Sequence, residues 1–162
     1  MFLVKVISGG QTGADLAGLV IAKKFGLETG GSMPYGFKNS DGLHPDWNKR
    51  FGVTEHTSSS YVPRTYENVK NSDATIRFAG DFTSAGEVLT LKAIERYSKP
   101  HIDVDLKSPR PIQEVVDWII GNNVSILNVA GNSERTYMGT GQDTMEYLTK
   151  VFEALGLKEV EK

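Results

Sequence analysis

The chain alternates between two kinds of hydrophobic pattern. Short apolar runs bounded by glycine or polar residues predict buried strands, and longer segments with apolar residues every three to four positions predict helices. Val88, Leu91 and Ile94 show the helical spacing clearly, and Gly26 is expected to end the first helix. The predicted strands cover residues 3–8, 28–32, 74–79, 101–104 and 125–130, and the predicted helices cover residues 14–25, 63–71, 85–97, 111–121 and 143–155.

One stretch follows neither pattern. Residues 33–61 contain Gly36, Pro45, Gly52 and a run of three serines at 58–60, which together predict a long irregular segment. A segment of this length inside a compact domain is usually functional or mobile.

The order of the elements predicts the fold class. Strands separated by helices favour an α/β domain, residues 1–162, with a mostly parallel sheet covered by helices on both faces. Sheets of this kind bind their ligands at the carboxyl ends of the strands. The loops that follow the strands are therefore the candidate site.

Composition narrows the classes of function. A net charge of −2 gives no reason to expect nucleic acid as the partner, and we expect neither a membrane span nor a signal peptide. Cysteine is absent, which excludes disulfides and thiolate chemistry and favours a cytoplasmic location. The three histidines lack the spacing of a metal motif, so no metal site is expected.

The loop after the first strand carries the strongest motif. It reads Ser-Gly-Gly-Gln-Thr-Gly-Ala-Asp over residues 8–15 and leads directly into a helix, which is how α/β proteins hold phosphate or another anion. It lacks the lysine of a P-loop, so hydrolysis of nucleoside triphosphates is not expected. A tight turn capped by Thr12 or Asp15 is the structural alternative. The candidate ligand-binding residues here are Gly9, Gly10, Gln11, Thr12 and Gly13.

Two further strand-end loops offer polar groups. In the second loop, Thr83 and Ser84 suit either a helix cap or a ligand contact. After the last strand, an arginine can hold an oxyanion with two hydrogen bonds or can remain solvated at the surface. The candidate binding residues of this third loop are Gly131, Asn132, Ser133 and Arg135.

The remaining candidates come from other segments. Arg64 stands near a helix start, where it can hold a phosphate or pair with Glu67. Tyr35 or Tyr61 can stack on a planar heterocycle, or can pack against the protein with the hydroxyl at the surface. The candidate catalytic residues are Asp15 and Glu87, which can act as bases, contact a ribose or cap helices.

These motifs resemble a known family. The loop at 8–15, Thr29-Gly-Gly31, Arg64-Thr65, Ser72-Asp73-Ala74-Thr75 and Leu127-Asn-Val-Ala-Gly131 are similar to the molybdenum carrier family of the SLOG superfamily. The resemblance implies a Rossmann-like three-layer α/β/α fold and a pocket for a nucleotide or the molybdenum cofactor. It also implies a homo-oligomer, either a dimer or a tetramer.

The chain also departs from related patterns. Family members more often carry a Gly-Thr step where this chain has Ala85-Gly-Glu87, and the LONELY GUY phosphoribohydrolases use a glutamate about where Thr90 stands.

Two hypotheses about function follow from the sequence. The first is a binding or carrier protein for an anionic, phosphate-bearing small molecule, with molybdenum cofactor or molybdate as the implied ligand. The alternative is a nucleotide-processing enzyme that cleaves an N-glycosidic bond, or a nucleotide sensor.

Overall fold

A computed structural model describes residues 2–160 of the chain and shows one parallel sheet between two layers of helices. Its six strands follow the order β5-β2-β1-β8-β6-β7, and every pairing in this sheet is parallel. The separate strands β3 and β4 form an antiparallel hairpin. The strands are β1 Lys5–Ile7, β2 Glu28–Met33, β3 Lys38–Asn39, β4 Gly42–Leu43, β5 Val53–Glu55, β6 Ala74–Ala79, β7 His101–Asp105 and β8 Ile126–Gly131.

The helices divide between the two faces of the sheet. They are α1 Ala14–Lys24, α2 Trp47–Phe51, α3 Tyr61–Lys70, α4 Ala85–Tyr97, α5 Ile112–Gly121 and α6 Thr140–Ala154. Helices α1, α5 and α6 pack on one face around a core that includes Leu127, Leu148 and Phe152. Helices α3 and α4 pack together on the other face through Val69 and Ile94. Every residue of β6 is buried because the strand is covered on both sides.

This architecture confirms the predicted fold class, a Rossmann-like α/β/α arrangement. The boundaries shift by a few residues, since α3 begins at Tyr61 rather than residue 63 and α6 begins at Thr140 rather than residue 143. The predicted domain of residues 1–162 also includes Met1, Glu161 and Lys162, which lie outside the described residues. No helix within residues 2–160 is both long enough and apolar enough to cross a membrane.

The prediction for residues 33–61 was wrong in part, because this segment contains β3, β4, α2 and the sheet strand β5. Helix α2 is held by a small apolar cluster in which Trp47, Phe51 and Val53 pack with Leu19 of α1 and with Met33. These elements have two to five residues each, too few for a hydrophobic period to show in the sequence. Tertiary packing therefore decides their structure.

A close backbone approach joins β2 to the end of β1. Gly31 has a φ of 126°, and a β-carbon at this position would overlap the carbonyl oxygen of Ser8. The Gly31→Ala variant should therefore lose about 2 kcal/mol or more of unfolding free energy, measured by urea denaturation. Gly121→Ala is the matched control, because a β-carbon there has open space around it. Equal stability of the two variants would contradict the prediction.

Candidate functional site

A cavity of about 460 Å³ opens where β1 and β8 end. In the strand order, β1 leads through α1 to β2 on one side, β6 leads through α4 to β7 on the other, and β8 lies between β1 and β6. Crevices at such positions are the usual ligand sites of parallel sheets. The cavity wall includes Gly9 and Asp15 from the first loop and helix, Arg64 from α3, Glu87 from α4, and Asn132 after β8.

The loop after β1 is organised by hydrogen bonds within the protein. Ser8 Oγ donates to the carbonyl oxygen of Asp15 at 2.8 Å, and the Gly10 N–H donates to Ser8 Oγ at 3.2 Å. The Gln11 N–H points at Asp15 Oδ2 at 3.4 Å, and the Ala14 N–H donates to the Asn132 carbonyl at 3.1 Å. The carboxylate of Asp15 thus occupies part of the space that a bound anion would take in a phosphate loop.

Asp15 faces a buried arginine across the cavity wall. Arg64 Nη1 lies 3.4 Å from Asp15 Oδ2, and the two side chains are 13% and 7% exposed. Burial raises the pKa of Asp15 to about 6, although Arg64 and the N–H groups of Gln11 and Gly9 act in the opposite direction. Arg64 Nε has no hydrogen-bond partner among the described residues. The guanidinium can therefore accept a further anionic partner.

The first loop needs a glycine beside this pair. A β-carbon on Gly9 would overlap Arg64 Nη1 and would lie 2.9 Å from Asp15 Oδ2. The absence of a side chain at Gly9 therefore leaves room for the guanidinium next to the loop.

Burial lowers the pKa of Arg64, and the negative charge of Asp15 opposes this effect. The guanidinium nevertheless stays charged, as it does in proteins generally.

Glu87 is a second buried acid in the cavity wall. It is 2% exposed, and burial raises its pKa to about 7 against the lowering effect of Arg77. The guanidinium of Arg77 is already engaged, since Nε and Nη2 donate to Asp103 at 2.8 and 2.7 Å and Nη1 donates to the Glu87 carbonyl at 3.0 Å. Arg77 Nη1 comes no nearer to Glu87 Oε1 than 4.0 Å. Within residues 2–160, Oε1 has no hydrogen-bond partner.

Asn132 ties two strand ends together. Its Oδ1 accepts N–H bonds from Gly80 at 2.9 Å and Asp81 at 3.0 Å, and its Nδ2 donates to the Asp81 carbonyl at 2.9 Å. Nδ2 also reaches Ser84 Oγ and Glu87 Oε2, each at 3.5 Å. The amide that the sequence offered as a ligand contact thus has internal partners that join the ends of β6 and β8.

The structure divides the predicted binding residues into two groups. Eight of them line the cavity: Gly9, Gln11, Arg64, Ser84, Gly131, Asn132, Ser133 and Arg135. The other four have internal contacts instead. Gly10 packs against Met33, Gly13 packs against the Asn132 carbonyl and Ser133, Thr12 Oγ1 lies 3.3 Å from Ser40 Oγ, and Thr83 Oγ1 donates to Asp81 Oδ1 at 2.6 Å.

Several open alternatives are also decided by the geometry. Arg64 pairs with Asp15, while Glu67 lies 3.5 Å from His56 Nε2. Tyr61 lines the cavity, whereas Tyr35 is 60% exposed elsewhere. Within the described part of the chain, neither α1 nor α4 has a side-chain hydrogen bond at its N-cap, so Thr12, Asp15 and Ser84 do not act as caps.

Other wall residues were missed by the sequence interpretation. Thr65, Asn68 and Thr90 line the cavity, as does Asn128 in β8. A polar residue inside an otherwise apolar strand is a signal that could have identified Asn128.

No group of three or more histidine, aspartate or glutamate side chains suited to a metal ion occurs in residues 2–160.

A family model for the circularly permutated YpsA SLOG family matches residues 6–152, nearly the whole chain. The chain belongs to this SLOG family. The crystal structure of a putative molybdenum carrier protein from Syntrophus aciditrophicus SB is similar to it, with 33% sequence identity and a TM-score of 0.83. The match covers 93% of this chain and 94% of that one. A search of curated proteins found no match.

The buried acids of this SLOG-family protein predict how its stability depends on pH. A carboxyl group whose pKa rises on folding binds more protons in the folded state, so its effect on stability becomes unfavourable as pH rises from its unfolded pKa to its folded pKa. For Glu87 this interval runs from 4.5 to about 7. Glu87→Gln should therefore be more stable than the wild type at pH 8, and the difference should disappear near pH 4.

Urea denaturation at several pH values measures this effect. Glu95→Gln is the matched control, because Glu95 lies exposed on the same helix. A stability difference between the wild type and Glu87→Gln that does not change with pH would contradict the assignment.

Proposed function

We propose that this protein binds a small molecule carrying a phosphate or a related oxyanion in the cavity at the carboxyl ends of β1 and β8. The molybdenum cofactor or molybdate is the first candidate ligand, because the similar protein from Syntrophus aciditrophicus is named as a molybdenum carrier. A nucleotide is the other candidate, since it shares the phosphate and a planar ring system with the cofactor.

Arg64 is the observation that carries this proposal. A buried guanidinium is usually matched by a carboxylate with short paired hydrogen bonds, whereas Arg64 has one contact to Asp15 at 3.4 Å and, within residues 2–160, no partner for its Nε–H. A ligand oxyanion would supply the missing acceptors. Asp15, with its pKa of about 6, can take up a proton when a second negative charge arrives beside it.

Other parts of the wall suit the rest of such a ligand. Ser133 and Arg135 belong to the loop after β8 and add a hydroxyl and a second guanidinium. Tyr61 offers an aromatic ring on which a planar heterocycle can stack. The cavity volume of about 460 Å³ is within the range of small-molecule sites.

The role of Arg64 can be measured directly. Arg64→Met should weaken binding of molybdate or of a nucleoside monophosphate by about tenfold or more, as measured by titration calorimetry, because it removes a charged hydrogen-bond donor. Arg110→Met is the control, since Arg110 lies outside this cavity and pairs with Glu114 at 3.4 Å. Mass spectrometry and metal analysis of the purified protein would identify a ligand retained from the cell. Unchanged affinity in folded Arg64→Met would refute the proposal.

An enzymatic function is a second candidate, and Glu87 is the observation that favours it. A buried carboxyl group with a pKa near 7 can donate a proton at neutral pH, and such groups cluster at catalytic sites. In N-glycosidic hydrolysis, water would add to the anomeric carbon as the bond to the base breaks, the departing base would take the proton from Glu87, and the proton that the water loses would restore the acid form of Glu87.

Chromatographic detection of free base after incubation with nucleoside monophosphates tests this second function. Release of base by the wild type, with loss of release in Glu87→Gln, would show turnover and would exclude a pure carrier. Retention of a ligand without any release would exclude the enzyme.

Two further expectations from the sequence stand as proposals. We propose that the chain assembles as a homodimer or homotetramer, as the family resemblance implies, and that it works in the cytoplasm. Neither proposal is needed for the cavity, which is formed within a single chain.

A further inference from the structure

Glu87 belongs to the cavity wall, and its carboxyl group is buried and lacks strong hydrogen bonds. Its Oε1 has no partner in residues 2–160, and its Oε2 has only a 3.5 Å contact with Asn132 Nδ2. That amide nitrogen already donates to the Asp81 carbonyl at 2.9 Å. Buried acceptors are almost always paired in folded proteins, so the two oxygens of Glu87 call for donors from outside the chain.

The surroundings of Glu87 restrict which donors fit. Arg77 of β6 and Arg64 of α3 act on this carboxyl group as positive charges, and Asp15 of α1 and Asp103 of β7 act as negative charges. Arg77 is committed to Asp103 by two hydrogen bonds of 2.8 and 2.7 Å. Apart from Glu87 itself, these charges number two of each sign, and Arg77 Nη1 stays 4.0 Å from Glu87 Oε1, so the donors to this carboxyl group are expected to come from the ligand.

We propose that Glu87 recognises the 2-amino-4-oxopyrimidine edge that guanine nucleotides and pterins share. This inference rests on the proposed ligand-binding function and specifies the ring that accompanies the oxyanion. The edge presents a ring N–H next to an exocyclic amino group, and these two parallel donors match the two oxygens of a carboxylate, as the fork of arginine does. Adenine presents a ring acceptor beside its amino group, which an ionised carboxylate would repel.

The remainder of the wall agrees with a flat bicyclic ring. Tyr61 supplies an aromatic surface and Leu89 an apolar one, and both line the same cavity as Glu87. Planar heterocycles gain affinity by stacking on such residues. The ring and the oxyanion would then be held by different parts of one cavity.

Titration calorimetry with GMP and AMP isolates the ring edge, since these two ligands share the ribose and the phosphate. We expect GMP to bind about tenfold or more tightly than AMP. Glu87→Gln should lower that preference or reverse it, because a glutamine amide offers one acceptor and one donor, which is the complement of adenine. Glu95→Gln, on the exposed side of the same helix, should keep the preference of the wild type.

A phosphate-free pterin such as 6-hydroxymethylpterin separates the two sources of the edge. Tighter binding of the pterin than of guanosine would assign the site to pterins, and the opposite order would assign it to guanine nucleotides. Equal affinity of the wild type for GMP and AMP, or a preference that Glu87→Gln leaves unchanged, would overturn this inference while leaving the oxyanion proposal intact. Failure of every ligand, molybdate included, would overturn both.

A pH series gives a readout that does not depend on the variant. Only the ionised carboxylate accepts both N–H groups, so the affinity of the wild type for guanosine should rise from pH 6.5 to pH 8. An affinity that stays flat or falls over this range would contradict the recognition of the edge by Glu87.

Discussion

Charge is buried where the parallel strands end, and the candidate site depends on how that charge is held. Asp15 and Arg64 lie 3.4 Å apart in the cavity wall, and each comes from a different helix. Buried ions are tolerated only when other groups satisfy them. Asp15 receives N–H groups from the first loop, whereas Arg64 Nε has no partner in the part of the chain that the structure describes. This imbalance makes the arginine the natural position for an external anion.

The second buried acid, Glu87, has different neighbours from Asp15. Arg77 faces Glu87, but Asp103 takes most of the hydrogen-bonding capacity of that arginine. Burial raises the pKa of the Glu87 carboxyl group to about 7, and its Oε1 has no partner among the described residues. Among the described residues, one cavity thus combines an arginine whose Nε has no acceptor and a carboxyl group whose Oε1 has no donor. A ligand with an oxyanion and a donor-rich ring would satisfy both.

The glycines of the first loop allow the chain to pack closely beside the cavity. Gly9 makes room for Arg64, Gly10 packs against Met33, and Gly13 lets the loop lie against the backbone after β8. They bring three chain segments together. The similarity to a protein named as a molybdenum carrier is consistent with a ligand at this junction, while the internal carboxylate of Asp15 distinguishes it from a simple phosphate loop.

The sequence by itself determined the parallel α/β fold and indicated the edge of the sheet where the cavity lies. Hydrophobic periodicity and strand–helix alternation are local signals, and they sufficed for β6, α4 and β8. Only the tertiary structure decided the short elements between residues 33 and 61, whose order comes from packing against Leu19. The tertiary structure also decided that Arg64 pairs with Asp15 and that the side chain of Asn132 forms hydrogen bonds within the protein. Pairings of this kind join residues about 50 positions apart, and no local pattern encodes which buried charge will meet which partner.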